Sequence, residues 1–359
     1  MKSNQGFAMC DVRCSNWLVR HSTFDIRNGY RRDGRGSVLL YVLWVVLLLS
    51  LFAAGVGSRA LSALNLSERL SEQLRATYIA RGAVPYAAMA IVLDATPVDG
   101  LNESWANQSG LEHYPLAGGS FSLLAPEEEA RRQNAPVRHG FSDEERRINL
   151  NTAPTEVLQR LLDTVGGLQP DDAEAVAAAI EDWRDPDDDE RPFGAEGFYY
   201  HSLSHPYDCK DGPFENVEEL LLVKGIVPEL YHRLEPYVTV FGSGKVNLNT
   251  AGRPVLRALG LSDVGVSGML AFRSGPDGRE ATSDDFLFTS MDALQSELKS
   301  YVPVEDLVRL NVLSQADVLS VASEAFRGTI EAVATDSASR IRVACVLDRG
   351  GHVKWWQER

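Results

Sequence analysis

Cysteine is scarce in this chain: four in 359 residues, two in a leading segment (Cys10, Cys14) and two far apart in the body (Cys209, Cys345). In an oxidising compartment Cys209 and Cys345 are free to form one bridge, and otherwise they are two unpaired thiols. Catalytic signatures are missing as well. The seven histidines show no HExxH or other paired metal spacing. His201 and His205 stand four apart in a Ser/Pro-rich loop, the setting of surface histidines more than of zinc ligands. There is no glycine-rich phosphate loop and no nucleophile elbow, so the chain reads as a non-enzyme. Positive charge is short too, with 35 Lys and Arg against 50 Asp and Glu. What there is gathers at the start: residues 1–36 carry +4, which leaves −19 on the rest. An acidic body argues against a large nucleic-acid footprint, because phosphate binding needs a cationic face. It fits a soluble surface, or one that collects divalent cations.

The chain has one long hydrophobic run, Val38 to Gly57, twenty residues without a charge. At a helical rise of about 1.5 Å per residue it spans a hydrocarbon core of about 30 Å. Arg31, Arg32 and Arg35 precede it. By the positive-inside rule the N-terminus stays in the cytoplasm and the body crosses. Ala53, Ala54 and Gly55 imitate a signal-peptide cleavage site. Against cleavage there, the run is long for a signal, and Leu61, Leu64, Leu70, Leu74, Tyr78 and Ile79 carry helical spacing onward. One helix over 37–95, membrane-embedded at 38–57, is the expectation.

The body contains an internal repeat. Ile148-NLNTAPTEVLQRLL and Val246-NLNTAGRPVLRALG share an NLNTA core followed by VL and a Leu at matching offsets. Asn151 and Asn249 are expected to cap two helix starts. Phe214-ENVEELLLVKGIVPELYHRLEPYV reads as helix, Lys224-Gly225-Ile226 turn, helix, the pattern of a helix-hairpin-helix. Such a hairpin either holds a DNA backbone through turn amides or simply packs. Glu215, Glu218, Glu219, Glu229 and Glu235 crowd it and weigh against DNA. Strand-like patterns flank the repeat: Gly119–Leu124 on one side, and 328–336 with 340–356 on the other, the latter two turning at Arg349–His352. A pilin-like α/β domain assembled from 96–147 and 314–359, with helical residues 148–313 inserted, follows. The fold class is α+β.

Two loops concentrate carboxylates with Pro and Gly: residues 181–196, EDWRDPDDDERPFGAE, and 275–286, GPDGREATSDDF. Calcium takes six to eight hard oxygen ligands from such turns. Neither loop has EF-hand spacing, and each also reads as a solvated acidic turn.

Taken together, NLN repeat, D-W-x-D-x-D segment, G-A-E before an aromatic pair, E-L-x-x-V-x-G-I hairpin and DG-x-x-x-T-x-DD stretch resemble the K-type minor pseudopilins of type II secretion systems. The resemblance covers Arg35 to Trp356. It implies prepilin-type cleavage between Gly36 and Ser37, removing a 36-residue cytoplasmic leader by prepilin peptidase. It implies an inner-membrane, single-pass protein with a periplasmic body, in contact with membrane lipid, other minor pseudopilins and the inner-membrane secretion machinery. No nucleic acid is expected. Structural calcium is implied, with Asp277, Thr282, Asp284 and Asp285 as ligands in the second loop and Asp185, Asp187 and Glu196 in the first. The function implied is initiating and capping a pseudopilus tip. Tyr41 supports it, since most pseudopilins carry Glu at that fifth mature position. The family often has Gly where this chain has Ala281. The alternative function is a membrane-tethered helix-hairpin-helix DNA receptor.

Overall fold

The computed structural model describes residues 35–126, 138–335 and 340–358, so the leader up to Gly34 lies outside the described residues. Contacts divide the chain into a unit ending at Leu64 and a second from Asn65. Helix α1, Arg35–Val92, runs unbroken through both, and Gly36 and Ser37 lie in its first turn. In the first unit every large apolar side chain from Val38 to Leu64 is exposed, Tyr41 at 72%. It is the one helix among the described residues long and apolar enough to cross a membrane.

In the second unit α1 changes character because its sequence acquires a face. Ala76, Ile79, Ala80, Ala83, Val84, Ala87, Ala88 and Ile91 recur every three or four residues and are buried. Five alanines along that stripe let the backbone approach the sheet closely, while Pro85 falls on the exposed side.

The sheet is antiparallel, in the order β1 (Tyr114–Leu116), β2 (Gly119–Leu124), β8 (Ala325–Ala334), β9 (Arg340–Asp348), β10 (Val353–Glu358), with β3 (Ser142–Asp143) also pairing with β8. Its first hairpin turns on Ala117 and Gly118, both at positive φ, which is what a two-residue turn between right-twisted strands requires. Strand β8 alternates buried and half-buried residues along its length. Phe121, Leu123, Phe326, Ile330, Val343, Cys345 and Leu347 form one core with the α1 stripe and Trp105. Each large aliphatic side chain buried there contributes about 1.5–3 kcal/mol.

A second, larger core belongs to residues 148–319. Here β4 (Ile148–Asn149) leads into α2 (Thr155–Thr164) and α3 (Pro170–Arg184), then the short α4 (Gly197–His201). A 3-10 turn (Val217–Leu222), α5 (Pro228–Leu234) and β5 (Val238–Thr239) follow. The order then recurs: β6 (Val246–Asn247), α6 (Arg253–Ala258), α7 (Asp263–Arg273), α8 (Leu294–Leu298), α9 (Val304–Gln315), β7 (Leu319–Ser320). Parallel pairs β4–β5 and β6–β7 close the two stretches in the same way.

Two expectations change, and one open alternative is decided. Asn151 and Asn249 do not cap: the residues at the caps are Pro154 and Gly252, neither with a side-chain bond to the helix. The asparagines lie too far upstream to reach the first-turn amides. The first arm of the Gly225 hairpin is a six-residue 3-10 turn, not an α-helix. Cys209 and Cys345 are both free, one in each hydrophobic core, so no bridge links them.

Candidate functional site

The NLNTA segments work as connectors. In the first, the Asn149 side chain accepts the Asn151 amide (2.8 Å), and Asn151 then grips Phe214. The Phe214 amide donates to Asn151 Oδ1 (2.7 Å) and Asn151 Nδ2 donates to the Phe214 carbonyl (3.0 Å). In the second, Asn247 accepts the Asn249 amide (2.9 Å) and Asn249 exchanges the same two bonds with Phe288, at 2.8 and 3.1 Å. An arginine ending the second helix completes each knot. Arg184 donates to the carbonyls of Leu150 and Ala153, and Arg273 to those of Leu248 and Ala251. Each acidic loop is thereby the segment between a carbonyl-bound arginine and a clamped phenylalanine. The repeated spacing announced two helices, whereas Phe214, Phe288, Arg184 and Arg273 carried no signal of their own, because their partners lie 22 to 63 residues away.

The second loop leaves α7 through Gly275 and Gly278, both at positive φ. A Cβ at Gly275 would stand 2.2 Å from the Asp284 carbonyl, so the loop's two ends touch there. The Thr282 hydroxyl sits between two carboxylates, 2.7 Å from Asp284 and 3.1 Å from Asp285. The amide of Asp277 donates to Asp284 (3.1 Å), and that of Ala281 to Asp285 (2.7 Å). These donors hold the Asp284 carboxyl below its ordinary range, the Thr282 hydroxyl most of all, whereas partial burial raises Asp285. Ala281 itself adopts φ +66°, the left-handed region that favours glycine. The tight turn forms without glycine, at a cost of about 1–2 kcal/mol. Asp277, Thr282, Asp284 and Asp285 therefore share one turn and offer hard oxygens, a donor set that suits calcium.

The first loop is different. Asp185 is ion-paired to Arg191, which also binds Asp182 at 3.0 Å. Asp187 is exposed and accepts the Asp189 amide (3.1 Å). Glu196 is buried, 3% exposed, and turned toward Cys209 and Asp211, not toward the other two. Burial raises its carboxyl to about 7. The three residues do not converge on one oxygen cage. In a second acidic cluster, Asp94 and Asp99 are engaged with Arg349, and Glu103 accepts the Thr96 hydroxyl, the Gly100 amide and the Trp105 indole.

The two copies are tied to the sheet by adjacent acids. Fully buried Glu144 pairs with Arg147 (2.8 Å) and Arg327 and receives the Thr239 hydroxyl, at the closing strand of the first copy. Although burial pushes its carboxyl up, the two guanidiniums outweigh that and hold it down at about 2. Asp143 instead accepts Asn247 Nδ2 (3.0 Å), the Ser323 hydroxyl (2.7 Å) and Thr250, of the second copy. Burial, with the neighbouring Glu145 carboxylate, raises it to about 7. Between the copies and the sheet lies a cleft of about 650 Å³ where Arg147, Arg253 and Arg327 face Glu218, Glu235 and Glu280. Its mixed charge does not make a phosphate track.

The family described as "Type II secretion system (T2SS), protein K" matches residues 137–243. Type II secretion system protein K of Pectobacterium carotovorum subsp. carotovorum is 29% identical over 245 residues, 66% of this chain and 74% of that one. The Klebsiella pneumoniae protein of the same name is 30% identical, over 60% and 66% of the two chains. A chain in the crystal structure of the GspK-GspI-GspJ complex from the enterotoxigenic Escherichia coli type 2 secretion system shares the fold. The TM-score is 0.61 at 19% identity, covering 83% of this chain and 99% of that one. The chain belongs to the type II secretion system protein K family. It is thus a minor pseudopilin of type II secretion, in a family of structural secretion proteins. The family's matched stretch runs from the end of the sheet's first half through the first copy and both of its clamped residues, Asn151 and Phe214. The DNA-receptor alternative finds no support in these relatives.

Proposed function

We propose that this protein K initiates and caps the pseudopilus tip together with other minor pseudopilins. The observation that carries the reading is the helix α1: charge-free from Val38 to Gly57, with its large apolar side chains exposed through Leu74, then packed into the sheet core from Ile79. Among the described residues nothing buries the large apolar side chains of this half, so lipid and the helices of other pseudopilins are their natural cover. The solved relative is named as part of a complex with two further chains, which supports minor pseudopilins as the neighbours. Tyr41 fits a subunit with none ahead of it in the filament.

The same reading assigns cleavage after Gly36 by prepilin peptidase, an inner-membrane span at 38–57, contact with the inner-membrane machinery, and a periplasmic body. The helical residues 148–313 form an insertion whose hairpin elements are packing units. Calcium held by Asp277, Thr282, Asp284 and Asp285 would fix the second loop by linking its ends through charge. The deciding experiment is co-purification from membranes: the mature protein should begin at Ser37 and bring other minor pseudopilins with it. An N-terminus beyond Ala53, or tight DNA binding at low salt without pseudopilin partners, would overturn the proposal. Calcium should raise the melting temperature, and Asp284→Asn should abolish the rise.

A further inference from the structure

We propose that Glu196, Cys209 and Asp211 form a zinc site in the first acidic loop. Their ligand atoms, two carboxylate oxygens and the Cys209 sulfur, all lie within 4.8 Å of one another. Glu196 supplies the independent sign. It is 3% exposed, and both of its carboxylate oxygens are out of contact with solvent, with no partner besides the Cys209 thiol. A buried carboxylate without a cation is costly, and a divalent cation removes the cost. The Arg191 guanidinium does not supply it, being committed to Asp182 and Asp185.

The donor set decides which cation. Calcium and magnesium take oxygens, whereas a thiolate with carboxylates suits zinc, whose sites with three protein ligands keep a fourth position for water. The site is built as well as composed. Cys209 is seated beside Trp183, Tyr200 and Tyr207, whose rings pack at 5.2 to 6.3 Å and wall it on the apolar side. Asp211, exposed, leaves an entry from solvent. Zinc here would join the segment before α4 to the segment before Phe214, closing the loop that the second copy closes with oxygens alone. The inference stands apart from the position of the chain in the pseudopilus.

Cobalt(II), a spectroscopic substitute for zinc, tests it in the full chain in detergent with Cys10→Ser and Cys14→Ser as background. One equivalent should bind with a thiolate-to-cobalt charge-transfer band in the near ultraviolet. Zinc should displace it and millimolar calcium should not. The band should vanish in Cys209→Ser and Glu196→Gln and persist in Cys345→Ser. Asp211→Asn, at an exposed position that keeps the fold, should weaken binding at least tenfold. Absence of the band, its survival in Cys209→Ser, displacement of cobalt by calcium, or unchanged affinity in Asp211→Asn would each overturn the proposal. Should Cys209→Ser fail to fold, the Asp211→Asn affinity decides.

Discussion

The first copy, residues 148–239, and the second, 246–320, share an order of elements and one set of connectors, yet differ wherever a connector meets solvent or the sheet. Asn151 is half-buried and Asn249 buried; Arg184 is half-buried and Arg273 buried. The loop between arginine and phenylalanine runs from 185 to 213 in the first copy and only from 274 to 287 in the second. A short loop closes on its own oxygens; a long one brings in an arginine, a thiol and an aromatic wall. The anchors differ in kind as well, a charged pair at Glu144 and a hydrogen-bonded acid at Asp143. Duplicated topology therefore fixes where a loop starts and ends, and local burial decides its chemistry.

The largest effect should come from breaking the arginine knots. Arg273→Ala removes a buried cation from two carbonyls and from Glu280, and should cost about 3–5 kcal/mol by urea unfolding. Arg184→Ala, less buried, should cost about 1–3 kcal/mol. Equal losses would mean that burial does not distinguish the copies.

The clamps come next. Asn249→Ala leaves the buried amide and carbonyl of Phe288 unpaired, and should cost about 2–4 kcal/mol; Asn151→Ala should cost about 1–3. Hydrogen exchange at the Phe288 and Phe214 amides locates the loss.

The Gly225 turn of the first copy has no glycine counterpart in the second, where Lys299 to Pro303 make a connection of the same length. Gly225 has φ +83°, and a Cβ there would meet Val176 at 2.7 Å. Gly225→Ala should lower stability by about 2 kcal/mol, with amide protection lost around Val176 before it is lost in α7.

The two sheet anchors should respond oppositely to acid. Asp143 has a raised carboxyl in the folded state, so its contribution is fully present below its ordinary range near 3.8 and fades as pH rises through about 7. Glu144 has a depressed one, so its contribution is present above about 4.5 and is lost as pH falls toward 2. Amide protection at Asn247 should improve between pH 8 and 5, while protection at Thr239 should fall only below about pH 4.5. A parallel response of the two sites would refute the distinction. The smallest effect is a gain: Ala281→Gly should stabilise the second loop by about 1 kcal/mol, read as a higher melting temperature.

The sequence by itself determined the elements that depend on neighbours along the chain. The charge-free run at Val38, the periodic stripe from Ala76, the alternation of β8 and β9 and the helix starts after each NLNTA were legible because their physics is local. The shared turn of Asp277, Thr282, Asp284 and Asp285 was legible for the same reason. Only the tertiary structure decided what the asparagines do. A side chain four residues ahead of a helix has no local partner, and its bonds go to a phenylalanine 63 or 39 residues away. The same holds for Glu196, which the family resemblance grouped with Asp185 and Asp187 as calcium ligands. Packing instead assigned Asp185 to Arg191 and turned Glu196 to a thiol, since a buried carboxylate's partner is set by what the fold brings beside it.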